Sequence, residues 1–140
     1  MIMKTTRLIT LVALLIIHSC QNRIGKDCDS KVIEVTATAY NSLEYQTSPN
    51  PQITAFGDSL KPGLNYIAVS RDLLDSGLVH NTKVKIEGFD ELFVVKDKMN
   101  KRWRKRIDIY MGLDVDKAKN WGKKKVSIEF CSPEKDAMAN

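Results

Sequence analysis

A chain of 140 residues, with 22 lysines and arginines against 17 aspartates and glutamates and a formal net charge of +5, has room for one small domain around a single hydrophobic core. Its seven glycines and four prolines are spread rather than clustered, which excludes a second domain and a long low-complexity linker, and no internal repeat is present.

The first segment reads as an export signal over residues 1–19. Lys4 and Arg7 form a short cationic region, Leu8 to Ile17 an apolar core, and Ser19-Cys20 a small residue followed by cysteine. The apolar core is shorter than the about 20 residues that a membrane-spanning helix needs. Ile17-His18-Ser19-Cys20 resembles a bacterial lipoprotein processing box, in which the cysteine becomes the new N-terminus and carries acyl chains. That resemblance implies a protein of the bacterial cell envelope, held to a membrane through lipid on Cys20. Gln21 is compatible with the outer membrane, facing the periplasm. An ordinary signal peptide with an unmodified Cys20 is the alternative. Removing residues 1–19 takes two cations and no acids from the +5, leaving +3. So modest a surplus on an exported protein argues against a nucleic-acid partner, and fits solubility or attraction to an acidic polymer. Residues 20–30 then form a linker, 31–131 the folded domain and 132–140 a tail.

With Cys20 assigned to lipid, Cys28 and Cys131 remain as a pair, placed just before the first strand and just after the last. In an oxidising compartment the pair is expected to form a disulfide, with two free thiols as the alternative. His80 is the single histidine after the signal and no CxxC spacing occurs, so neither a metal site nor a cofactor is expected.

Along the domain, Val32–Tyr40 is rich in β-branched residues and predicts a strand, and Asn41–Pro51 a polar loop long enough to overhang a site. Ile53–Phe56 predicts a second short strand ending at Gly57-Asp58, and Leu60–Gly63 a turn. Tyr66–Val69 predicts a third strand. Ser70 predicts the cap of a short helix running through Leu74 and stopped by Gly77, and Val84–Glu87 with Glu91–Lys96 a hairpin around Gly88-Phe89-Asp90. Further on come a strand over Arg106–Tyr110, a helix with Asp114 at its N-cap and Gly122 beyond Trp121, and a closing strand over Val126–Phe130. Six or more short strands with two small helices indicate a β-rich barrel rather than a parallel α/β sheet.

The most informative stretch is Leu92 to Gly112. An apolar run ends on Asp97, a basic loop follows, and a second strand carries Asp108 in Arg106-Ile107-Asp108-Ile109-Tyr110. Alternation puts Ile107 and Ile109 on one face and Arg106, Asp108 and Tyr110 on the other, so Asp108 lies on the non-core face. An aspartate within one apolar strand and another at the end of the preceding one suit a carboxylate site, and equally suit mere balance of seven nearby cations. Lys98, Lys101, Arg102, Arg104 and Lys105 are expected at the surface, where they would help hold an acidic polymer. Trp103 would offer a flat face to a sugar ring, or simply pack on the barrel.

From Val35 to Phe130 the chain resembles the three-aspartate, or 3D, domain family, which includes the catalytic end of membrane-bound lytic murein transglycosylase A. The matching residues are Thr38-Ala39-Tyr40, Thr54-Ala55-Phe56-Gly57-Asp58-Ser59-Leu60-Lys61, Ile67-Ala68-Val69, Val95-Lys96-Asp97 and Arg106-Ile107-Asp108-Ile109-Tyr110, with Ala118, Trp121 and Gly122 near the end. The resemblance implies a mainly β fold, a six-stranded double-psi β-barrel with one or two short helices. It implies that Asp108 is a catalytic general acid and base and Asp97 its companion carboxylate. It also implies that Thr54, Gly57, Asp58, Lys96, Arg106 and Tyr110 bind substrate, with Trp103 of the basic loop expected to join them. The chain departs from the family at Ser70, where the family has an aspartate and the nearest acid here is Asp72, and at Lys98–Lys105, which replaces a glycine-rich loop.

The implied activity is lytic cleavage of the β-1,4 bond between N-acetylmuramic acid and N-acetylglucosamine by a monomeric enzyme whose partner is peptidoglycan. Burial or repulsion from Asp97 would raise the Asp108 pKa, and Arg106 and Lys96 would lower it; the sequence leaves the balance open. A non-catalytic peptidoglycan-binding module, its basic loop on the carboxylates of stem peptides, is the other reading.

Overall fold

The computed structural model describes residues 28–43, 50 and 52–132. The expected signal segment, the lipid-bearing Cys20, most of the linker, most of the 41–51 loop and nearly all of the tail lie outside the described residues.

Eight elements follow in order: β1 (Ser30–Tyr40), β2 (Tyr66–Val69), α1 (Arg71–Asp75), β3 (Lys83–Ile86), β4 (Leu92–Lys98), β5 (Arg106–Tyr110), α2 (Val115–Trp121) and β6 (Lys124–Cys131). The strands close into one barrel in the order β1-β5-β2-β4-β3-β6, so the mainly β, six-stranded class with two short helices is the one observed. β1 runs parallel to β5 and β2 parallel to β4, while β2 and β5 between them are antiparallel.

Alternation builds the interior. Val35 and Ala37 of β1, Val84 and Ile86 of β3, Phe93 and Val95 of β4, Ile107 and Ile109 of β5, and Val126, Ile128 and Phe130 of β6 point inward and are all buried. Each of these side chains larger than alanine contributes roughly 1.5–3 kcal/mol by leaving water, and a closed barrel leaves none of its sheet edges unpaired. Cys28 and Cys131 are bonded, with Cα atoms 5.7 Å apart across a sequence separation of 103. The bridge ties the start of β1 to the end of β6, where Ser30 already pairs with Cys131.

One break in the alternation matters most. Ile67 of β2 lies opposite Val95 of β4, but Ala68 lies opposite Asp97, so Lys96 is an extra residue in the ladder. Without that bulge Asp97 would follow Phe93 and Val95 into the core; with it, the phase flips and Asp97 emerges on the outer face.

Two local expectations change. Ile53–Phe56 is not a strand: Ile53 makes an isolated bridge with Ser59 and is 51% exposed. The Thr54 hydroxyl accepts the Asp58 N–H (3.0 Å), the Gly57 N–H donates to the Thr54 carbonyl (2.9 Å) and Gly57 adopts φ +86°, so the segment turns back on itself before it can pair. Ser70 precedes α1 but makes no capping bond; its buried hydroxyl instead accepts the Arg106 N–H of β5 at 3.0 Å. At α2 the expectation holds. Asp114 accepts the Lys117 N–H at 2.8 Å and Gly122 ends the helix at φ +67°. Asp114→Ala should therefore lower stability by about 1 kcal/mol in urea denaturation, because an orphan amide of the first turn loses its acceptor.

Candidate active site

Registers across four strands set one row of side chains on the outer face. Thr38 of β1 pairs with Asp108 of β5, Asp108 pairs with Ala68 of β2, and Ala68 pairs with Asp97 of β4. The two aspartates stand two strand spacings apart, roughly 9–10 Å between Cα atoms. Ala68 between them is the floor of a cleft of about 280 Å³, walled by Tyr40, Asp97, Lys98, Met99, Asn100, Trp103 and Asp108. A larger residue at position 68 would fill the space between the acids.

Asp108 accepts a hydrogen bond from the Thr38 hydroxyl at 2.9 Å. Burial pushes its pKa up to about 6, outweighing the Thr38 bond and the Arg106 guanidinium, and the charge of Asp97 adds to the rise. The competition left open by the sequence is thus decided by burial. Asp97 also lies above the usual carboxylate range through burial, although its Oδ1 accepts the backbone amides of Ala55 and Lys98, each at 2.8 Å. The Tyr40 hydroxyl is buried with no hydrogen-bond partner among the described residues. Burial and the two aspartates hold its pKa well above normal, so it remains a proton-bearing donor beside them.

The other expected site residues divide between the cleft and a neighbouring cluster. Trp103 lines the cleft, with the Arg106 guanidinium 3.8 Å and the Arg102 guanidinium 4.8 Å from its ring centroid. Tyr110 is buried and turned aside, its hydroxyl hydrogen-bonded to Ser42 at 2.8 Å. Thr54, Gly57 and Asp58 form the turn beside Asp97. The Asp58 carboxylate meets Lys96 Nζ at 3.0 Å and His80 Nε2 at 2.5 Å, and the Lys96 bond leads the interactions that hold its pKa below the usual carboxylate range. Phe56 stacks on His80 with centroids 4.7 Å apart, and Lys98 Nζ lies 5.1 Å over the Phe56 ring.

Lys101, Arg102, Arg104 and Lys105 are exposed as expected, while Lys98 is half-buried. Among the described residues no cation from Lys98 to Arg106 makes a contact ion pair with a carboxylate. Ser70 and Asp72 both serve the backbone that enters β5. Ser70 takes the Arg106 amide and Asp72 Oδ2 the Lys105 amide at 2.9 Å.

Thr38, Tyr40, Ala68 and His80 were not singled out as site residues in the sequence. Thr38 and Tyr40 share one face of β1, and only the parallel pairing with β5 brings them beside Asp108. His80 carried no spacing signal at all.

No protein family matches the chain, and no curated protein does. Among solved structures the barrel is similar to an expansin from Clavibacter michiganensis, both in a mutant form in complex with cellohexaose and in its apo form. The first shares 13% identity over 74% of this chain and 51% of that chain, with a TM-score of 0.46. The second shares 14% identity over 75% and 52%, with a TM-score of 0.45, so this chain spans about half the length of either.

Proposed function

We propose that this barrel cleaves the glycan strands of peptidoglycan as a lytic transglycosylase, with Asp108 as the single general acid and base. The observation that carries the reading is a half-buried carboxyl with its pKa near 6, opening on a cleft beside a second acid. Protonated Asp108 donates its proton to the glycosidic oxygen as the bond to the N-acetylmuramic anomeric carbon breaks. The resulting carboxylate then takes the proton of the muramic 6-hydroxyl as that oxygen closes on the same carbon, leaving a 1,6-anhydro end and restoring the acid. Asp97, held by two amides, orients the sugar from the other side of Ala68. The reading includes attachment to the envelope, at the outer membrane facing the periplasm, through acyl chains on Cys20; its support is the sequence pattern before that residue.

Incubation of purified protein with murein sacculi, followed by mass spectrometry of the soluble products, tests this. Release of 1,6-anhydromuropeptides is expected; only reducing-end fragments would make water the nucleophile and remove the transglycosylase step.

A second reading, a wall-binding module without catalysis, is favoured by one observation: among the described residues, no cation from Lys98 to Arg106 makes a contact ion pair with a carboxylate. Sacculus binding should weaken several-fold in Lys101→Glu/Arg104→Glu protein and with added salt, measured by co-sedimentation. Binding that ignores both would remove the basic loop from substrate contact.

A further inference from the structure

We infer that Asp58 is a positioning residue: by taking His80 and Lys96 on its carboxylate, it fastens the 53–59 turn to β4 so that the Ala55 amide holds Asp97 in the cleft. This rests on the reading of Asp97 as a working carboxylate, but its test needs no substrate.

The turn is internally closed by the Ile53–Ser59 bridge and by the Leu60 N–H on the Gln52 carbonyl at 2.7 Å. What docks it on the barrel wall is Asp58 on Lys96 and His80, the stacking of Phe56 on His80, and the Ala55 N–H on Asp97 Oδ1 at 2.8 Å. Lys96 is the bulge residue of β4. The one-residue insertion that turns Asp97 outward therefore also presents the amine that Asp58 takes, and Asn81 Oδ1 steadies that amine at 2.7 Å. The ion-paired side chains of Asp58 and Lys96 are only 25% and 19% exposed, so water screens them less than it would an open surface pair. With the Ala55 and Lys98 amides both on Oδ1, the carboxylate is fixed in orientation and Oδ2 is the oxygen left for the cleft.

The charged and titratable groups that act on Asp97 are Lys98, Asp58, Asp108 and Tyr40, and burial acts on it more than any of them, so the amide itself is the cleaner readout in an Asp58 variant. If Asp58 were only a neighbouring negative charge, removing it would leave the Ala55 N–H on Asp97 and protected from exchange. If it fastens the turn, removing it frees that N–H, which then exchanges with water. Amide hydrogen exchange at Ala55 in Asp58→Ala, with carbon-13 NMR titration of Asp97 in Ala55→Pro, decides between them. Ala55 is the second residue of the 54–57 turn, where proline is favoured, so Ala55→Pro deletes the N–H while keeping the turn. Ala55→Pro, which keeps the turn docked, should raise the Asp97 midpoint by about half a pH unit or more, and Asp58→Ala should speed exchange at the Ala55 amide about tenfold or more. In turnover, Asp58→Ala should lower kcat about tenfold with KM little changed. Should Asp58→Ala not fold, His80→Phe keeps the ring on Phe56, drops the hydrogen bond and is read by the same exchange. An Ala55 amide that stays as protected as in the wild type on loss of the clamp overturns the inference, whether or not the wild-type protein cleaves glycan.

Discussion

Asp108→Asn protein should lose glycan cleavage and, at neutral pH, be more stable than the wild type. Asparagine keeps an oxygen to accept the Thr38 hydroxyl but can neither deliver nor take the proton, a loss of about 10²- to 10⁴-fold in rate, more where one group serves both steps. The stability gain follows from the raised pKa. A carboxyl at about 6 when folded, against 3.8 ordinarily, is destabilised as an anion by burial, largest among its causes. The native state therefore holds its proton more tightly than the unfolded chain between those values. The associated stability is fully present below pH 3.8 and is lost as pH rises through 6, a change of at most roughly 3 kcal/mol. Urea denaturation should find the two proteins alike near pH 4 and the variant ahead at pH 8. A variant that is inactive and destabilised at pH 8 would mean that the Asp108 anion is a structural partner. Asp97→Asn should remove a like charge, lower the Asp108 pKa and move the basic limb of activity to lower pH.

Changing Cys28 and Cys131 together to serine should have the largest effect on stability. The bond closes a loop of about a hundred residues, for which the chain-entropy account gives on the order of 4–5 kcal/mol as an upper figure. For a domain of this size that corresponds to a fall in Tm of several degrees, up to roughly 15–30 °C, by calorimetry. Cys28→Ser alone should behave like the double change, and a reducing agent should bring the wild type to the same Tm. The barrel order gives the loss its mechanism. β1 and β6 are neighbours joined by eight register pairs, and the bridge holds their ends together where the sheet would otherwise fray.

Much of the barrel is legible in the sequence because period-2 alternation is a local property. Ile107 and Ile109 announce a core face, and Asp108 between them must face away. Asp97 obeys no such rule. It shares parity with Phe93 and Val95 and would be read as core-facing; its outward turn depends on a bulge defined by pairing with β2, whose Ala68 lies about thirty positions earlier, and no local pattern encodes that. Ile53–Phe56 misleads for the opposite reason: Ile53, Thr54 and Phe56 favour a strand, but Thr54 itself and Gly57 close a turn before any partner strand is reached. Ser70 looks like a helix cap, yet β5 runs past it and takes the hydroxyl. The flat face read for Trp103 is real, but Arg106, three residues on, lies against it. Whether Asp108 would be raised or lowered also had to wait for the fold, because burial is tertiary whereas Arg106 is visible in the chain.

The central claim is that a buried Asp108 is the proton donor, and the most direct measurement is carbon-13 NMR titration of its side-chain carboxyl beside the pH profile of anhydromuropeptide release. The account predicts a midpoint near 6 and a rate that falls through the same pH as the acid loses its proton. A midpoint near the ordinary 3.8, or a release rate that stays flat between about pH 5 and about pH 8, would contradict it.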